Sequence, residues 1–125
     1  MIINTINHIQ ITIPVGEEEA GRQFYCHLLG LPEIEKPAAL QANGGFWLQV
    51  STQQLHVGVE NGVNRPATKA HIAYEVDDLA AWHTHLSNAG VTLVDNTPIP
   101  GYSRLMLRDP FGNRVELIQR LGIGD

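Results

Sequence analysis

The sequence predicts an α+β fold in which one pattern, a strand, a helix and then two or three strands, occurs twice within 125 residues. Three observations carry this. Residues 7–13 and 71–76 alternate in polarity with the period of two that belongs to a strand. Each run is followed by apolar residues at helical spacing that end on a glycine, Gly30 or Gly90. The two alternating runs also carry a histidine at the same place, His8 and His71.

In the first half, Ile9, Ile11 and Ile13 share one strand parity and His8, Gln10 and Thr12 the other. Pro14 and Gly16 stop this strand. Residues 17–29 then place Ala20, Phe24 and Leu28, with Leu31 beyond, on one helix face behind three glutamates that suit the positive end of a helix. Residues 46–50 and 54–60 alternate as two strands around a Ser51-Thr52-Gln53 turn. The polar stretch 61–69, with Gly62 and Pro66, marks an internal boundary, so a single domain is expected to hold modules of about 1–64 and 65–125. In the second half Ile72, Tyr74 and Val76 oppose His71, Ala73 and Glu75. Asp77 or Asp78 offers a helix cap, and Leu79, Trp82, Leu86 and Ala89 mark the helix. Residues 91–94 form a short strand. Two more strands, 104–108 and 114–119, flank the turn Asp109-Pro110-Phe111-Gly112-Asn113, where proline sets the bend and glycine supplies a positive φ.

Charge and composition remove several function classes. Eight Lys and Arg against 13 Asp and Glu give a net charge of −5, and the basic residues are scattered, so there is no stripe to neutralise a phosphate backbone. Nucleic acid is excluded as a partner. Cys26 is the single cysteine, which rules out an intrachain disulfide and any Cys-x-x-Cys motif and fits a reducing compartment. No apolar run approaches the 18 or so residues of a membrane span, and the N-terminus lacks the pattern of a secretory leader. A soluble, cytoplasmic protein without a membrane partner is expected.

Six histidines are the compositional oddity. His27 falls on the first helix, and His83 and His85, two apart on the second, diverge and cannot chelate together. The other three are placed. His8 and His71 are 63 residues apart, and His56 and Glu116, each near the end of its half, are 60 apart. A repeated unit therefore carries two coordinating residues in each copy, His8 with His56 and His71 with Glu116. All four lie on the strand parity opposite the apolar one, which leaves them to line a cavity. Three imidazoles and one carboxylate suit zinc, iron(II), nickel, manganese or cobalt, and a divalent ion so held keeps positive charge and vacant positions. His8, His71 and Glu116 already make a complete two-histidine, one-carboxylate set. His56 is then a fourth ligand or a base beside the metal.

The segments Asn7-His8-Ile9, Phe24-Tyr25-Cys26-His27-Leu28-Leu29-Gly30-Leu31, Lys69-Ala70-His71-Ile72-Ala73 and Asp109-Pro110-Phe111-Gly112-Asn113-Arg114-Val115-Glu116-Leu117 together resemble the vicinal oxygen chelate superfamily of glyoxalases, epimerases, extradiol dioxygenases and bleomycin resistance proteins. The resemblance spans nearly the whole chain. It implies two tandem βαβββ modules whose curved mixed sheets form a cup around a metal, often in a homodimer. It also implies His8, His56, His71 and Glu116 as ligands. Glyoxalases and epimerases commonly carry a carboxylate or amide where this chain has His56, so the proton-transfer role of that position changes.

What the resemblance implies is a metal-dependent enzyme, a lyase, isomerase, transferase or dioxygenase. It would act on a small oxygen-rich substrate by chelating it and stabilising an enolate or alkoxide, with His56 and Glu116 in catalysis. The alternative is a binding protein of the bleomycin resistance type that sequesters an antibiotic without turnover. Arg104 and Arg108, on one strand face with Met106, are the candidate anion-binding residues, and Gln10 and Trp47 the candidate cavity wall.

Overall fold

The computed structural model describes residues 1–122. The chain divides between Val63 and Asn64 into two compact units. Each unit is a four-stranded mixed sheet with little helix, so the fold is α+β.

In the first unit, β1 (His8–Ile13) leads into α1 (Glu18–Arg22), whose path continues as a π-helical segment, Gln23–Leu28. β2 (Glu33–Ile34), a 3-10 segment (Ala38–Asn43), β3 (Phe46–Val50) and β4 (Gln53–Val59) follow. The strand order is β1-β4-β3-β2, with β1 parallel to β4 and the other pairs antiparallel. The second unit repeats this order. β5 (His71–Glu75), α2 (Leu79–Asn88), β6 (Val94–Asp95), β7 (Tyr102–Arg108) and β8 (Arg114–Arg120) assemble as β5-β8-β7-β6, with β5 parallel to β8.

Alternation along the strands decides what is buried. Phe46, Leu48, Leu55 and Val57 face each other across β3 and β4 and form the first core with Ile13, Phe24, Tyr25 and Leu29. In the second unit Leu105, Leu107, Val115 and Leu117 play the same part with Leu79 and Leu86. α2 starts as its sequence suggests, Asp78 being the cap whose side chain accepts the Ala81 N–H at 3.0 Å.

Four local expectations change. The first helix keeps its place but not its face. A π turn, closed by the Leu29 N–H donating to the Phe24 carbonyl at 2.9 Å, shifts the inward positions by one, so Tyr25 and Leu29 are buried and Leu28 is not. The strand expected at 91–94 forms only as Val94–Asp95, because the Val91 N–H donates to the Leu86 carbonyl and ties residue 91 to the end of α2. The strand expected at 104–108 starts two residues earlier, at Tyr102, which pairs with Arg120. The loop 32–45 contains β2 and a 3-10 segment that no periodicity announced.

Gly45 shows how tightly the first sheet is fixed next to the candidate site. It lies at φ +79°, and a Cβ there would collide with the Val57 carbonyl oxygen and come within 3.2 Å of the Gly58 backbone. Gly90 has nearly the same φ, +80°, but faces open space. Gly90→Ala should lose about 1 kcal/mol, the cost of a left-handed alanine, whereas Gly45→Ala should lose roughly 3 kcal/mol because backbone must also move. Chemical denaturation of both variants checks this, and equal losses would contradict the close approach at Gly45.

Candidate metal and ligand site

The parallel strand pairs carry the site residues. In the second unit Ala73 is the register partner of Glu116, and Met106 faces Glu116 from β7. His71, two residues before Ala73, shares that face and reaches diagonally to the carboxylate. Its Nε2 lies 2.9 Å from Glu116 Oε1. The first unit has the same register: Gln10 pairs with His56, Trp47 faces His56 from β3, and His8 lies two residues before Gln10.

Hydrogen bonds assign the imidazole tautomers. His71 Nδ1–H donates to the Lys69 carbonyl at 2.8 Å, which leaves its lone pair on Nε2. His8 repeats the arrangement, with Nδ1–H donating to Asn7 Oδ1 at 3.0 Å. An orienting acceptor on the distal nitrogen is how metal-binding imidazoles are commonly held. The consequence at His71 is specific. Its Nε2 lone pair faces a carboxylate oxygen, two acceptors 2.9 Å apart, and only a cation between them, a proton or a metal ion, makes the contact favourable. Two neighbouring ligand atoms bound at about 2.1 Å to one ion lie roughly 3.0–3.4 Å apart, so the pair fits a divalent metal with a small adjustment at most.

Glu116 is nearly enclosed, its side chain 4% exposed. Arg104 compensates its charge, Nη1 donating to the same Oε1 at 3.2 Å. The other edge of the guanidinium, Nε and Nη2, donates to the Thr97 carbonyl at 3.1 and 2.7 Å. Arg104 thus ties the loop before β7 to Glu116 and is engaged on protein groups. Arg108 is exposed, with Nη1 donating to the Gly112 carbonyl.

The first pair is arranged differently. His8 and His56 stack, ring centroids 4.3 Å apart and planes 15° from parallel, and Trp47 stacks on His56 at 3.5 Å. Stacked rings do not turn their nitrogens toward one point. His56 Nε2–H donates to Gln54 Oε1 at 3.3 Å, which puts its lone pair on Nδ1. Burial, and secondarily the neighbouring His8, hold the His56 pKa below its ordinary 6.5. Among the described residues no three coordinating side chains gather in one group. Within their own units, His71 and Glu116 form a coordinating pair and His8 and His56 a stack.

His56, Trp47 and Gln10 also line a cavity of about 280 Å³ in the first unit, together with Lys36, Leu40 and Asn43. These last three lie in the loop 32–45, and sequence reasoning missed them because an irregular loop gives no period by which to place a side chain. A larger, open groove of about 630 Å³ in the second unit, among Glu75, Asp78 and Trp82, includes neither His71 nor Glu116.

Two outcomes check this geometry. Arg104→Met, which strips a buried carboxylate of its cation, should cost about 2–4 kcal/mol in denaturant unfolding, and Arg108→Met less than about 0.5 kcal/mol. Equal effects would contradict the Arg104–Glu116 pair. The depressed His56 pKa means that the unfolded chain takes up this proton first as pH falls. Its contribution is therefore present above pH 6.5 and lost as pH drops from there through the lower folded value. Melting curves from pH 7.5 to 5 should show less acid destabilisation in His56→Phe than in the parent protein.

Comparison with known proteins gives the family. The family model described as Glyoxalase/Bleomycin resistance protein/Dioxygenase superfamily matches residues 5–117. Among solved structures, a glyoxalase family protein from Bacillus anthracis is 38% identical, with 96% of this chain and 98% of that chain covered and a TM-score of 0.89. TnmS3, an antibiotic binding protein from Streptomyces sp. CB03234, is 25% identical over 96% of this chain and 98% of its own, with a TM-score of 0.70. Lactoylglutathione lyase from Agrobacterium tumefaciens, at 20% identity, 94% coverage of both chains and a TM-score of 0.71, shares the fold. A comparison with curated protein sequences returned no match. With the family model spanning both units and their matching strand orders, the chain belongs to the glyoxalase/bleomycin resistance protein/dioxygenase superfamily.

Proposed function

We propose that this protein is a divalent-metal-dependent enzyme acting on a small oxygen-rich molecule, its two units working as one domain. The observation that carries the reading is the His71–Glu116 contact, in which a lone pair and a buried carboxylate face each other at 2.9 Å. His71, Glu116 and His8 are the proposed ligands, drawn from one chain or from two copies of it, and His56 is a fourth ligand or the neighbouring base. Bound there, zinc, nickel, manganese, cobalt or iron(II) would supply Lewis acidity toward paired substrate oxygens.

The protein groups have distinct tasks in this reading. Lys69 and Asn7 fix the tautomers of His71 and His8. Arg104 holds the Glu116 carboxylate in place. His56, uncharged at neutral pH and lining the cavity of the first unit, would serve as a base that accepts a substrate proton at Nδ1. Isomerisation, thiol or water addition and oxygen-dependent ring cleavage all use these elements. The reading includes a homodimer, supported by the exposed apolar residues Ile2, Ile3 and Ile6, and a cytoplasmic setting, supported by the lone unpaired Cys26. No helix among the described residues is long and apolar enough to cross a membrane.

A second reading, binding of an antibiotic without turnover, is favoured by the likeness to the antibiotic binding protein. One experiment separates the two. Chelator-treated protein is melted with each metal in turn, in parent and His71→Ala forms. An ion at a hundred times its Kd stabilises by about 2.7 kcal/mol, a rise of several degrees that His71→Ala should lose. A parent protein with no gain from any of the five metals would sink the metalloenzyme and leave the binding protein.

A further inference from the structure

The cavity of the first unit has walls of definite chemistry. Its ionisable lining side chains, among the described residues, are Lys36 and His56. Lys36 is the side chain that gives this wall its fixed positive charge. Lys36 is half-buried, and its Nζ donates to the Gly44 carbonyl at 2.9 Å, a carbonyl on the cavity wall. That bond fixes the ammonium beside the cavity and leaves two of its three donors for another acceptor. No carboxylate among the described residues pairs with it. Glu18, whose Oε2 lies 3.6 Å from where a Gly44 Cβ would sit, is not part of the wall.

The rest of the wall is amphipathic. Leu40 and the Trp47–His56 stack give it an apolar side, and the amides of Gln10 and Asn43 add polar groups. The Gln10 position is built into the sheet, since a side chain at Gly58 would collide with the Gln10 amide nitrogen. The volume, about 280 Å³, equals the liquid share of roughly nine water molecules.

We propose that this cavity binds the carboxylate of a small amphipathic organic anion, with Lys36 as the counter-charge and the Trp47–His56 stack as the apolar wall. A single ammonium matches a single negative charge, and a carboxylate accepts both free N–H groups where a neutral amide gives a weaker, uncharged bond. This deepens the proposed function by naming its substrate class. It also moves anion recognition from Arg104 and Arg108, which donate to protein groups, to a lysine in a loop.

The test uses calorimetric titration of the intact, chelator-treated protein with benzoate and with benzamide, which match in shape and differ in charge. Benzoate is expected to bind at least about tenfold more tightly. Lys36→Met should erase that preference and Lys36→Arg keep it, with circular dichroism confirming that both variants fold. Equal binding of the two probes, a preference that survives Lys36→Met, or no heat from benzoate at millimolar concentration would each overturn the proposal. Tighter binding of inorganic phosphate than of benzoate would overturn the assignment to carboxylates. Because no metal is present, failure here is distinct from failure of the metal-dependent stabilisation that tests the enzyme reading.

Discussion

In each unit the first strand hydrogen-bonds in parallel to the last, β1 to β4 and β5 to β8, and the placement of His8, His56, His71 and Glu116 follows from that pairing. A parallel pair cannot be closed by a tight turn, so the chain must cross over, and the intervening helix and strands are that crossover. Residues 48 positions apart, His8 and His56, or 45 apart, His71 and Glu116, become neighbours on one sheet face. A slip of one residue would send all four to the core face and put Leu55 or Leu117 among the polar groups. Burial of those leucines against the helices is therefore what holds the polar residues in register.

That polar face carries an electrostatic demand. Glu116 is nearly excluded from water, and a carboxylate in such a place needs a cation or a proton. Arg104 supplies one charge. The His71 lone pair on the other side, fixed by Lys69, asks for a second. In the first unit the same positions hold an aromatic stack with a neutral His56, next to a cavity with one lysine. The repeat has thus kept strand order and register in both units while giving one a coordinating pair and the other a ring stack.

Much of this was legible in the sequence. Period-two alternation located β1, β3, β5 and β8, and the pairing of His8 with His71 disclosed the duplication, because strand faces and repeats leave a pattern in one dimension. What lay outside any period was not legible. The π turn after Arg22 shifts the buried face by one residue for the sake of Tyr25, and adjacent aromatic residues do not announce it. Lys36 sits in a loop held by one bond to Gly44, a contact local in space with no spacing rule behind it. Arg104 was legible as a cation on the right face, but its partner was not, since Glu116 and a substrate carboxylate present the same chemistry to a guanidinium.

The proposed metal site sets a divalent ion between His71 and Glu116. The most direct measurement is a crystal grown with cobalt or zinc and examined for anomalous scattering at the metal's absorption edge. The expected result is a peak within bonding distance of His71 Nε2 and a Glu116 oxygen, with Arg104 still on the carboxylate. A map without that peak at saturating metal, with His71 and Glu116 at their present separation and sharing a proton, would contradict the account.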